Sequence, residues 1–230
     1  ACPYMAADEF NMGLGRRRSI YLYFQQAVPR VAVIDEQNCT RCGNCKVVCG
    51  AGAINYYQKP EEIKLNIAAI VVAVGLDTFD PSVLSEYGYG KYENVITSIQ
   101  YERLINAAGP TGGHLQRISD GRRVKKLAFI HCVGSRDTRN APYCSSVCCM
   151  LSTKSAMLAR EHHSDIENYI FYTELRASGK RFHEYTERAR KDYDVHYIRA
   201  KPGEIREKED GSLEIWYYDA AKGVLSLEVD

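Results

Sequence analysis

The sequence has no long apolar run. The longest, Ile67 to Leu76, is about half the roughly 20 residues that a membrane-spanning helix needs, so no transmembrane segment is expected. An excess of one charge is also missing. Thirty basic residues stand against 29 acidic ones, a net charge of +1, which argues against nucleic acid or an anionic membrane surface as partner. The glycine-rich phosphate loop G-x-G-x-x-G is absent. Gly13-Leu14-Gly15 and Gly88-Tyr89-Gly90 both lack the third glycine, which counts against an intact nicotinamide site. No Ser-His-Asp or paired-carboxylate arrangement stands out, so no catalytic side chain is assigned. The first residue is Ala1 and no charged-then-apolar leader follows, so the chain reads as a fragment or processed product rather than a secreted precursor.

Cysteine is abundant: nine in 230 residues. Cys39, Cys42, Cys45 and Cys49 have the spacing C-x2-C-x2-C-x3-C. Thiols this close pair poorly with one another but converge well on a metal centre, and that implies a reducing, anaerobic cytoplasm. The first three wrap a 4Fe-4S cluster on a tight loop, and Gly43 lets backbone amides approach its sulfurs. Zinc sites prefer paired C-x2-C units across a longer loop. In two-cluster ferredoxins the fourth cysteine of such a run serves the other cluster, and a proline follows it. Gly50 stands there instead, whereas Cys2-Pro3 looks like the end of another such run. Cys2 is therefore expected to complete the cluster of Cys39, Cys42 and Cys45. Cys49 then belongs to a cluster whose other ligands the chain does not supply.

A second group is Cys132, Cys144, Cys148 and Cys149. Cys132 ends a predicted strand over Leu127 to Val133, and the others open a predicted helix around Val147 to His162. A strand-end loop and the next helix N-terminus face one space, and the helix end favours thiolates. A cluster there competes with ordinary buried thiols, with zinc, and with a redox-active Cys148-Cys149 disulfide. Strand alternation points His131 away from Cys132, so packing is its expected role.

Strands are also expected at Val31 to Ile34, Ala53 to Tyr57, Ile63 to Ile67, Ile70 to Val74, Tyr169 to Tyr172 and Val195 to Ile198, and helices at Ile99 to Ala107 and Glu184 to Lys191. Residues 1–26 read as irregular, with Arg16-Arg17-Arg18 as a solvated basic turn. Gly109 to Gly113 reads as a linker, and Asp210-Gly211 and Lys222-Gly223 as hairpin connections. The pattern predicts an α/β chain, α+β overall. Its parts are an iron–sulfur module at 1–62, a central piece with linker at 63–120, and a Rossmann-like domain with antiparallel hairpins at 121–230.

Three stretches carry a family resemblance: Phe129 to Asp137, Tyr143 to Cys149, and Arg176-Ala177-Ser178-Gly179-Lys180. With Gly109-Pro110-Thr111-Gly112-Gly113 and Ala1-Cys2-Pro3, the chain closely resembles the A-subunit of heterodisulfide reductase over nearly its whole length. The resemblance implies a thioredoxin-reductase-like nucleotide-binding fold carrying an inserted ferredoxin-like iron–sulfur module. It implies FAD and several 4Fe-4S clusters, one of them on Cys132, Cys144, Cys148 and Cys149. It also implies an oxidoreductase that passes electrons within an oligomeric multi-subunit complex, with electron bifurcation in some members. Ala73-Val74-Gly75 matches the element that passes close to the flavin, with Val74 in place of a threonine. The first flavin-binding strand has no counterpart in the chain, so the FAD site is expected to be incomplete.

Overall fold

The computed structural model describes residues 2–230 and forms two units, Ala1–Thr78 and Phe79–Asp230. In the first unit β1 (Met5–Ala7) pairs antiparallel with β2 (Arg16–Arg18), and β3 (Ile20–Leu22) pairs antiparallel with β4 (Ala32–Ile34). Ser19 joins the two ribbons. Its N–H donates to the Tyr4 carbonyl at 3.2 Å, its carbonyl accepts from Asp35 N–H at 2.8 Å, and its hydroxyl donates to the Asn38 carbonyl at 2.9 Å. A single turn of helix, α1 (Asn44–Val48), starts at Gly43, whose φ of 83° is left-handed and suits glycine.

Two expectations for this unit need correction. Residues 2–26 carry three short strands and are not irregular throughout, and Arg16-Arg17-Arg18 is a strand rather than a solvated turn. Arg17 is largely buried, donates to Asp35 at 2.9 Å, and lies 3.9 Å from the centre of the Tyr21 ring. The pairing energy comes from contacts across the ribbons, which a local reading of basic residues does not register.

The strands expected at Ala53 to Tyr57, Ile63 to Ile67 and Ile70 to Val74 are also absent. A strand needs a partner for its N–H and C=O groups, and no described strand pairs with any of these residues. The apolar side chains of Ile63, Leu65, Ile67, Ile70, Val71, Val72, Val74 and Leu76 are consequently exposed.

In the second unit β5 (Lys126–Ile130), β6 (Glu167–Phe171) and β7 (Val195–Ile198) form a parallel sheet in the order β5-β6-β7. Helix α2 (Ser98–Leu104) precedes them, α3 (Cys148–His162) crosses from β5 to β6, and α4 (Phe182–Asp192) crosses from β6 to β7. An antiparallel sheet follows: β8 (Glu204–Glu207), β9 (Leu213–Asp219) and β10 (Gly223–Val229), with β9 central. Side chains on β6 alternate between two cores. Ile170 joins Ala156, Met157, Ala189 and Val195 on the helical side. Phe171 joins Ile205, Leu213, Ile215 and Val229 on the other, with its ring edge-on to Tyr217 at 5.1 Å. The parallel sheet therefore lies between the helices and the antiparallel sheet.

The expected boundaries at 62/63 and 120/121 differ from this division. Residues 79–120 belong with the second unit because Leu84, Tyr87, Tyr101 and Leu104 are buried in it. Gly109 to Gly113 is a packed turn rather than a linker. A side chain at Gly109 would collide with the Arg103 carbonyl, and the Thr111 hydroxyl donates to the Leu104 carbonyl at 2.8 Å. Helix α2 is held by a capping box between Thr97 and Gln100. No helix among the described residues is long and apolar enough to cross a membrane.

Candidate metal centres

The first unit encloses a small cavity lined by Cys2, Cys39, Cys42 and Cys45, together with Tyr4, Ser19, Ile20, Ile34, Thr40 and Tyr56. Three of the cysteines come from the loop before α1 and from α1 itself. Cys2 arrives from the strand side, where Ser19 ties the β1 and β3 regions together. Cys49 is not among the lining residues; it ends α1 and its carbonyl accepts from Gly52 N–H at 3.0 Å.

Two features of the cavity suit an anionic sulfur centre. Arg41 N–H donates to Cys39 Sγ at 3.4 Å. The Tyr56 hydroxyl lies 2.9 Å from Cys45 Sγ, and this hydrogen bond to the sulfur pushes the phenol up to about 12. At Cys2, desolvation works against ionisation. Backbone hydrogen bonds at Tyr4, Ser19 and Ile20 outweigh it and bring the thiol below its ordinary value. Four sulfurs on one cavity wall, with donors facing them, fit the four-thiolate requirement of a 4Fe-4S cluster. Tyr56 was not singled out by the sequence, since Ala53 to Tyr57 reads there as a plain strand.

The second centre forms where β5 ends. His131 N–H still donates to the Phe171 carbonyl at 3.0 Å, continuing the strand pairing by one bond. Cys132 then turns left-handed at φ 58°, a conformation that costs about 1–3 kcal/mol away from glycine and asparagine. The loop beyond folds back through Arg136 N–H to the Tyr143 carbonyl at 3.0 Å and Ala141 N–H to the Gly134 carbonyl at 3.1 Å. That return brings Cys144 to the start of α3, where Cys148 and Cys149 follow.

Cys148 is the thiol of the group that is shifted toward ionisation. The thiol of Cys132 and then that of Cys149 donate to it, with Ser145 adding a further donor, and these hold Cys148 far below the usual thiol range. Cys132 and Cys149 are correspondingly pushed up, first by donating to Cys148 and then by burial. Cys149 Sγ also accepts from Arg176 N–H at 3.4 Å, so the loop after β6 reaches the same centre. The Cys144 sulfur accepts from Ser146 N–H at 3.3 Å and lies near enough to act on Cys132 electrostatically. All nine cysteines are free thiols.

His131 belongs to this centre rather than to distant packing, contrary to what alternation along the strand predicts. Strand β5 ends at Ile130, so period-2 geometry no longer governs the next two residues. A ring nitrogen of His131 and the sulfurs of Cys148 and Cys149 all lie within 4.8 Å of one another. The residue is buried and neither ring nitrogen has a hydrogen-bond partner. Leaving a buried polar group unpaired costs about 1–3 kcal/mol. Burial shifts the imidazole toward its neutral form, partly opposed by Cys148. The sequence signal for His131 was its place beside Cys132, but the strand end that redirects it was not visible there.

Ala73, Val74 and Gly75 lie in the exposed irregular stretch of the first unit, with Val72 and Val74 at 75% and 90% exposure. No described strand flanks them and nothing around them forms a flavin cradle, so these residues do not fit FAD as they stand.

The family model of the 4Fe-4S binding domain matches residues 32–55. Over the whole chain, the sequence is 47% identical to the iron-sulfur A-subunit of the CoB–CoM heterodisulfide reductase of Methanocaldococcus jannaschii, covering 100% of this chain and 35% of that protein. It is 53% identical to the second of two such A-subunits of Methanopyrus kandleri, over 90% of this chain and 32% of the relative. It is 43% identical to the A-subunit of the H2:CoB-CoM heterodisulfide,ferredoxin reductase of Methanothermobacter marburgensis, over 96% of this chain and 34% of the relative. The chain thus spans about a third of the length of the curated relatives it matches. With identity this high over 90–100% of its length, the chain belongs to the A-subunit family of heterodisulfide reductases.

Proposed function

We propose that this chain is the electron-carrying part of an iron–sulfur oxidoreductase and holds two kinds of 4Fe-4S site. The observation that carries the reading is the shared cavity of Cys2, Cys39, Cys42 and Cys45. A bound cluster supplies one-electron oxidation and reduction. The chain's own residues hold and insulate. Cys2, Cys39, Cys42 and Cys45 are the ligands of the first cluster; Tyr56 and Arg41 N–H serve the ligand sulfurs as donors. Cys132, Cys144, Cys148 and Cys149 are the ligands of the second. Cys49, which does not line that cavity, is assigned to a different cluster.

The reading extends to the whole protein by family: an oligomeric, cytoplasmic complex in which other subunits deliver and remove the electrons, with heterodisulfide reduction, named in the relatives, as its reaction. FAD and bifurcation belong to that larger assembly. The test is anaerobic quantification of iron, sulfide and zinc in the full chain, repeated on Cys2→Ala and Cys148→Ala. Iron with matching sulfide, reduced in part by each substitution, is expected. Zinc without sulfide overturns the reading.

A second reading has one observation in its favour. The sulfurs of Cys148 and Cys149 lie within 4.8 Å of one another, as a pair for thiol–disulfide exchange would. Mass spectrometry after anaerobic alkylation separates the two, because a cluster ligand pair carries no disulfide.

A further inference from the structure

The second centre contains one group that no set of cysteine ligands uses. His131 is 4% exposed, sits one residue before Cys132, and has no hydrogen-bond partner on either ring nitrogen. Its ligand atom shares a 4.8 Å neighbourhood with the sulfurs of Cys148 and Cys149. Of the cysteine sulfurs, it is Cys148 with which the ring interacts electrostatically. An imidazole in either protonation state carries at least one N–H, so the ring has a donor to place. Neither ring nitrogen has a hydrogen-bond partner, oxygen or sulfur, and the Phe171 carbonyl opposite it in the sheet is taken by the His131 backbone N–H. The acceptors of suitable charge in that neighbourhood are the sulfurs of Cys148 and Cys149.

We propose that His131 is a positioning residue of the second centre, its ring N–H turning to donate to the Cys148 sulfur when the metal is bound and favouring the reduced state of the metal that Cys148 binds. The proposal rests on the reading that this centre holds a 4Fe-4S cluster. A donor to a ligand sulfur stabilises the more negative, reduced form and raises the potential. In the reading above Cys132, Cys144, Cys148 and Cys149 serve the four irons, so the imidazole is assigned as a donor and not as a ligand.

The test uses the full chain prepared anaerobically, with ¹⁵N-labelled histidine, pulsed electron paramagnetic resonance of the reduced second cluster, and a redox titration. Weak nitrogen coupling that changes on labelling and vanishes in His131→Ala is the expected result. The titration should show the reduction equilibrium of that cluster falling about tenfold in His131→Ala, which is about 59 mV for a one-electron couple. His131→Asn, which keeps a donor, should recover most of that shift while the first cluster stays unchanged. Strong coupling from direct iron–nitrogen bonding overturns the proposal, as does a second cluster with no histidine coupling or no shift in potential. If His131→Ala cannot hold iron, the labelled parent protein decides by the same coupling. Absence of iron and sulfide from the second centre of the parent protein overturns both the proposal and the reading beneath it.

Discussion

The two cysteine centres are built in opposite ways. The first lies in a unit with almost no core: among the described residues, Ala6 is the only buried hydrophobic residue before Leu84. Its ligands are organised by spacing, three of them within the seven residues from Cys39 to Cys45. The second lies at the end of a parallel sheet between two apolar layers, and the sulfurs of Cys148 and Cys149 already share a 4.8 Å neighbourhood with a His131 ring nitrogen. A local motif can wait for its metal to order it, whereas a centre placed by tertiary structure is largely arranged beforehand.

Removing iron should break that comparison most visibly. With so little buried apolar area, the first unit is expected to lose its hydrogen-exchange protection when iron is chelated, while β5, β6 and β7 keep theirs. Equal loss in both units would mean that the second centre is not preorganised. The converse perturbation is Phe171→Ala, at a residue 1% exposed between the sheets. It should destabilise the second unit by about 3–5 kcal/mol in denaturant unfolding. The iron of the first centre should be retained.

Ligand exchange sharpens the picture of the first centre. Cys2→Ala is expected to remove or degrade the first cluster, read as loss of iron and of its paramagnetic signal. Cys49→Ala should leave that cluster intact, because Cys49 does not line the cavity. The reverse outcome would return the fourth ligand to the local run. A smaller effect is expected from Tyr56→Phe, which deletes the hydroxyl 2.9 Å from Cys45 Sγ. The first cluster's potential should fall by an amount on the order of tens of millivolts, with iron content unchanged. Smallest is neutralisation of exposed Arg41 and Lys46, where solvent and salt screen the charges and a shift of at most tens of millivolts toward negative is expected. Salt should abolish that last shift and spare the Tyr56 one.

Elements whose partners lie close in sequence, or whose period is strong, were legible. Strand β7 falls on the expected Val195 to Ile198, α3 begins one residue after the expected Val147, and the hairpin connections sit at Asp210-Gly211 and next to Lys222-Gly223. The apolar runs at 63–67 and 70–74 have equally clear strand composition, yet no described strand pairs with them. Composition reports a side chain's tendency toward burial, and only a neighbouring strand can satisfy the backbone beside it.

By itself the sequence determined which sulfurs stand together locally, because C-x2-C-x2-C-x3-C leaves a chain little freedom in how it wraps a cluster. It also pointed to Cys2 as a distant partner, through Cys2-Pro3. Tertiary structure alone decided that Tyr56 faces Cys45 and that the loop after β6 lends Arg176 N–H to Cys149. It decided as well that His131 comes within reach of Cys148. Each of these depends on where a strand stops or a loop returns, and such endpoints follow from packing between segments far apart in the chain rather than from the residues beside them.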